Sequence, residues 1–306
     1  ILAIDSNYVQ ALETKCFFLF NQYLTIYEKS KDKDGALHLD TITQSKMDNI
    51  KDEVINTSNK IIQIDQSNRV ALASTAGIPL FTSLESSMVM KVFAFRESIS
   101  RAKQLLIEHP ESILANTFMF RLYEMKTKLF PFRNDNDLDL MIFYLDKVIN
   151  KSKKYIEGGN LDFLDLMCID GLYYEKNKYS KLSLDEKELL FTDLYSLMKN
   201  NRFISGQRNA SQKLFWIAKE KGEFQRAIEL ANELLILSRQ LNFIDAESWA
   251  YFDLFLVYYY NLNDYSAGIN YLAKAMDIVD KGEWAVGARL TYSRILSESA
   301  QYEKSG

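Results

Sequence analysis

The chain has 306 residues, 47% of them hydrophobic and 13% aromatic, which is ample for a long continuous core. Three prolines and 11 glycines are too few for an all-β chain punctuated by turns, and suit long helices instead. The net charge is −4 and no basic cluster is long enough to track a phosphate backbone, which argues against direct nucleic-acid binding by this segment.

No apolar run reaches the length of a transmembrane helix, and no signal peptide is expected in this segment. Ile1 is not Met, and ILAIDSNY reads as the tail of a helix, so the segment is expected to be a piece of a longer protein. Cys16 and Cys168 make no metal-ligand spacing and are expected as buried thiols; spacing alone does not decide whether they pair.

The first helix is predicted from Val9 to about Glu28. The polar stretch Ser30 to Gln44 is long for an inter-helix connection, where roughly 2–8 residues is usual, and is expected as an exposed insertion. A second helix, Lys46 to Ile64, ends in IIQIDQSN, whose IDQSN repeats the IDSN near the start. The helix opening at Arg69 meets Gly77 and Pro79, and a proline inside a helix removes a hydrogen bond and kinks it. Glu85 to Glu108 has amphipathic periodicity and is closed by His109-Pro110. Two hairpins follow: Ile113 to Leu129 with Leu138 to Tyr155, joined by FPFRNDND, and Leu161 to Tyr179 with Leu184 to Lys199. Ser183-Leu184-Asp185-Glu186 is a capping-box pattern, and Gly158-Gly159 and Asn200-Asn201 read as helix stops.

The most regular stretch, Asn209 to Val279, is two helical hairpins in tandem. Gly222-Glu223-Phe224 turns the first, with Ala227 and Ala231 following at helical spacing. Asn263-Asp264-Tyr265 turns the second, with Gly268, Leu272 and Ala275 after it. Phe224 and Tyr265 stand 41 residues apart, a recurrence that marks a repeat architecture. Ala285 to Tyr302 is predicted as a closing amphipathic helix, which a repeat array needs because its last unit has no neighbour.

On these residues the stretch resembles the tetratricopeptide repeat (TPR), in a long-loop form. The exit turns near Ile1, Ile61 and Glu108 match as well, with Pro110 in the family's proline position and Ser6 and Gln66 departing from it. Phe215 and Leu256 occupy a first-helix slot that the family usually gives to glycine or alanine. The resemblance implies an all-α fold: a TPR-like right-handed superhelix, an α-solenoid of about six helical hairpins plus a C-terminal capping helix, running as one array over residues 1–306.

ILAIDSNYVQAL also resembles the TPR region that follows the N-terminal part of bacterial winged-helix regulators of the CadC/ToxR type. This implies a non-enzymatic binding module, the effector or partner-binding region of a bacterial transcriptional regulator. The alternative is a stand-alone TPR scaffold or co-chaperone for protein assembly or secretion. The expected compartment is the cytoplasm, or the periplasm for a membrane-anchored regulator.

Catalytic and metal chemistry are not expected. His38 lies in the polar insertion and His109 at a helix exit, and neither implies a general-base system. No glycine-rich phosphate loop exists. Asp135, Asp137, Asp139 and Asp146 faintly echo a calcium loop, but Leu140 stands where the sharp-turn glycine belongs, and acidic groups there read as helix N-terminal capping. No cofactor is implied.

In TPR arrays the first helices line the concave groove, and the aromatic runs Phe17-Phe18, Tyr173-Tyr174 and Tyr258-Tyr259-Tyr260 fall on first helices. Matching the pattern places Gln10, Glu13, Phe17 and Phe20 in that groove, then Arg121 and Glu124. Gln212, Trp216 and Lys219 follow, with Asp253, Val257 and Tyr260 in the last hairpin. This mixture suits a protein or peptide partner, or a small molecule, better than a polyanion. The Lys/Asn/Arg carboxylate clamp of chaperone-binding TPR domains is not visible, which argues against a heat-shock-chaperone adaptor.

Overall fold

The structure, a computed structural model, describes residues 6–30, 40–83, 88–129, 135–278, 289–295 and 297. Among them all regular structure is helical, so the fold class is all-α. The chain divides into two compact units, residues 1–151 with 167–172, and residues 152–166 with 173–306.

The first unit holds α1 (Ser6–Lys29), α2 (Thr41–Ile64), α3 (Arg69–Ser83), α4 (Met88–Glu108), α5 (Ile113–Leu129) and α6 (Asp135–Ser152). From α1 to α5 each helix packs on the next, and α3 also touches α1 and α5. Cys16 sits at the centre of the α1–α2–α3 junction, its Sγ 3.2 Å from Ser58 Oγ and donating to Ser74 Oγ at 3.1 Å. Burial pushes the Cys16 thiol up, so it packs there as a small neutral group. The polar stretch expected as an insertion over 30–44 is shorter at its C-terminal end. Asp40 is the N-cap of α2, its side chain accepting from the Thr43 amide at 2.6 Å, so residues 41–44 are helical. Residues 31–39 of that stretch lie outside the described residues. His109 joins two exit turns, its Nε2 lying 2.9 Å from the Ser67 carbonyl oxygen.

The second unit holds α7 (Phe163–Tyr179), apart from the 167–172 segment, then α8 (Leu184–Asn200), α9 (Ile204–Glu220), α10 (Phe224–Gln240), α11 (Ile244–Leu256) and α12 (Tyr265–Ile278). The Ser183–Glu186 capping box opens α8 as its residues predict. Helices α8, α9 and α10 are each 17 residues long and end in the same way. A left-handed residue follows each: Arg202 at φ 56°, Gly222 at 78° and Asn242 at 50°. The next amide, of Phe203, Glu223 and Phe243 respectively, then reaches back to the carbonyl of Met198, Ala218 and Ser238. These are Schellman ends, and they satisfy carbonyls that the last turn would otherwise leave open. Their recurrence sets a 20-residue half-repeat.

One element breaks the rhythm. After Leu256 the chain widens into a π-helical turn, Val257–Asn261, with the Leu262 amide donating to the Val257 carbonyl at 3.0 Å. The next left-handed residue, Asn263, comes 21 residues after Asn242 instead of 20. The 41-residue recurrence of Phe224 and Tyr265 is therefore one half-repeat of 20 and one of 21, and the π turn absorbs the extra residue. Gly268 lets α12 pass close by: a Cβ there would lie 2.7 Å from Tyr259 Cβ. Of the predicted closing helix, residues 289–295 are described as helical, with Ile295 packed in a core cluster with Phe255 and Leu272.

Candidate functional site

A polar surface of the second unit runs along α9. Arg208, Gln212, Trp216 and Lys219 fall at helical spacings within an arc of about 80°. The opposite face, with Ala210, Leu214, Phe215, Ile217 and Ala218, is buried. Trp216 is 42% exposed, packs its ring edge-to-face on Phe215, and carries the Lys219 ammonium 4.8 Å from its centroid. The Arg208 guanidinium lies 5.5 Å from the Phe243 ring and the Lys213 ammonium 4.9 Å from that of Tyr174. Arg208, Lys213 and Lys219 form no salt bridge among the described residues, so aromatic faces take the place of carboxylate partners.

Behind this face stands one carboxylate. Asp253 on α11 is 1% exposed and accepts a 2.7 Å hydrogen bond from Gln212 Nε2. Burial pushes its pKa up to about 7, against the opposing pull of the Gln212 hydrogen bond and the Lys219 and Arg208 charges. Burial pulls both cations down from their ordinary values, while the Asp253 charge holds them up. Arg208 Nε is buried with no hydrogen-bond partner.

Two of the expected groove residues of the second unit are not on a surface. Val257 is fully buried in the core cluster with Phe215, Ala250 and Leu254, and Asp253 lies one helical turn before it on the same inward face. For Val257 the physical reason is register. Expecting a 41-residue offset between first helices pairs Trp216 with Val257, but α9 and α11 begin 40 residues apart, at Ile204 and Ile244. The extra residue enters only at the π turn, so Val257 is the counterpart of buried Ile217. Tyr260, within the π turn, is 51% exposed and packs its ring against Phe255 and Tyr259.

The remaining expected residues lie in the first unit. Gln10 is exposed. Glu13 accepts a 2.6 Å hydrogen bond from Asn68 Nδ2, which fixes α1 to the turn before α3. Glu124 is buried and is an internal counter-ion rather than a surface contact, bound by Arg121 Nη1 at 2.7 Å and Lys128 Nζ at 3.0 Å. Burial would raise its pKa, but those two cations outweigh it and hold the carboxyl at about 2. Phe17, Phe20 and Arg121 come together on a pocket of about 300 Å³, whose other walls include Phe18, Phe118, Met167 and Gly171. Periodicity shows neither Met167 nor Gly171 as lining, because nothing in their local pattern points to α1.

The acidic run at the start of α6 is partly spent on structure: Asp137 is buried and pairs with Lys126 at 2.6 Å. Among the described residues no group of three His, Cys, Asp or Glu could hold a metal ion, and no helix is long and apolar enough to cross a membrane. Both cysteines are buried and neither is in a disulfide.

No family model matches the chain, and no curated protein matches it. Among solved structures it is similar to the nuclear import adaptor Nro1 of S. pombe, at 14% identity and a TM-score of 0.42, over 90% of this chain and 99% of that one. A likeness that distant transfers no role.

Proposed function

We propose that the chain is a non-enzymatic protein-interaction module of TPR type, built as a right-handed superhelix, which takes an acidic peptide of a partner protein on the α9 face. The observation that carries this is the triplet Arg208, Lys213 and Lys219: three cations along one helix, without carboxylate partners among the described residues, around the half-exposed Trp216. An acidic side chain would meet cations that form no salt bridge among the described residues, and Trp216 would supply the apolar anchor. The repeating Schellman ends support a helical-hairpin repeat, whose 20-residue half-repeat is longer than that of a standard TPR and corresponds to the long-loop form. The narrower reading, the effector or partner-binding region of a bacterial transcriptional regulator, has its support in the phrase ILAIDSNYVQAL alone.

A displayed library of random peptides tests the proposal. The expected outcome is enrichment of peptides rich in Asp and Glu with one aromatic or aliphatic anchor. Trp216→Ala should then weaken an enriched peptide by about 2 kcal/mol, roughly thirtyfold, with an unchanged melting temperature. Lys219→Glu should weaken the same peptide and not weaken basic peptides. Enrichment of uncharged or basic sequences, or acidic peptides that bind both variants as they bind the parent, would sink the idea.

A further inference from the structure

The pocket of the first unit is a different kind of site from the α9 face. Four helices supply its walls: Phe17, Phe18 and Phe20 from α1, Ala73 from α3, Phe118 from α5 and Met167 from α7. Its shape is set before anything binds. The Phe20 ring lies over Gly77, where a Cβ would come within 2.6 Å of it, and meets Phe118 edge-to-face at 6.1 Å. A side chain at position 77 would displace that ring, so the bare glycine and the Phe20–Phe118 pair together form a fixed aromatic wall.

The polar groups on the lining are already engaged. Asn21 donates its amide to the Phe17 carbonyl, Ser74 its hydroxyl to that of Val70, and Thr117 its hydroxyl to that of Ile113, each at 2.8 Å. The Arg121 guanidinium is paired with Glu124, so it brings no uncompensated charge. What the pocket offers an occupant is aromatic and aliphatic surface. In size, an apolar cavity of about 150 Å³ holds one benzene ring. A pocket of about 300 Å³ has room for two fused rings or an aliphatic group of that volume.

We propose that this pocket is a binding site for an uncharged, apolar small molecule of about two rings. Gly171 is where the ligand's space can be removed. A Cβ built there makes only an ordinary contact, 3.6 Å from Arg121 Nη2, so the backbone accepts a side chain that then occupies the pocket.

The test is fluorescence titration of the whole chain with prodan, a neutral naphthalene whose emission shifts to the blue in apolar surroundings. Saturable binding at one molecule per chain is expected, competed by unlabelled naphthalene. Gly171→Leu should weaken it at least tenfold, with unchanged helical circular dichroism and melting temperature. Phe18→Ala, which trims a side chain already 48% exposed and so spares the core, should weaken it severalfold. Non-saturable emission, or equal binding by the parent and Gly171→Leu, would overturn the proposal. So would displacement of prodan by a Leu- and Phe-rich peptide but not by naphthalene, because the occupant would then be a partner's side chain.

Discussion

Asp253 carries a carboxyl into the wall between α9 and α11, and its burial gives the molecule a pH dependence of definite sign. In the unfolded chain it titrates near its ordinary value of 3.8, and in the fold near about 7. The unfolded state therefore releases this proton first. The contribution is fully present below about pH 4 and is lost as pH rises through about 7. Asp253→Asn keeps an acceptor for Gln212 and removes the titration. The expected outcome is a higher urea midpoint at pH 8 and a flatter profile between pH 4 and 8 than the parent shows. Parallel profiles for the two proteins would mean that Asp253 is hydrated in solution. Glu124 runs the other way, since its folded pKa is depressed. Its contribution is present above the usual carboxylate range and lost as pH falls towards 2. Neither role was legible in the sequence: both residues look like polar positions on a helix face, and only the packing of a second helix buries them.

At the scale of elements, the second unit is held by small residues where helices meet and by ion pairs at their ends. Ala227 and Ala231 of α10 are fully buried in the cluster around Phe215 and Leu254. Ala227→Leu should lower the denaturant midpoint by the equivalent of about 1–3 kcal/mol through overpacking. Gln225→Leu, two residues earlier on the exposed face, should stay within about 0.5 kcal/mol of the parent. Equal effects would put α10 in a different rotation. Around α8 and α10, Glu188 takes both Lys221 and Arg226, joining three successive segments through one carboxylate. Helix ends were the most legible feature of the chain, because their chemistry is local: the Ser183–Glu186 box, Gly222 and Asn263 each announce themselves. The start of α2 was less so, since Asp40 is one more polar residue in a polar run until its side chain is seen on the Thr43 amide. The π turn was not legible at all. Tyr258-Tyr259-Tyr260 contains no helix breaker, and the one-residue excess is hidden in the sum that gives 41. That single hidden residue displaced the expected site on α11.

Within the second unit packing follows chain order: α8 lies on α9, α9 on α10, α10 on α11 and α11 on α12. Where each helix depends on its sequence neighbours, opening need not be concerted, and the least satisfied stretch opens first. We expect the π turn to be that stretch. Its i to i+5 bonds make a wider ring than the α-helix, and Asn261 Oδ1 is buried there without a hydrogen-bond partner. The consequence is one of timing. In deuterated buffer the amides of residues 258–262 should exchange well before those of 218–222, which close the corresponding end of α9. That order would make the π turn the fastest-opening segment within the helices of this unit, and equal protection of the two stretches would show the wide turn to be held as firmly as the α-helix beside it.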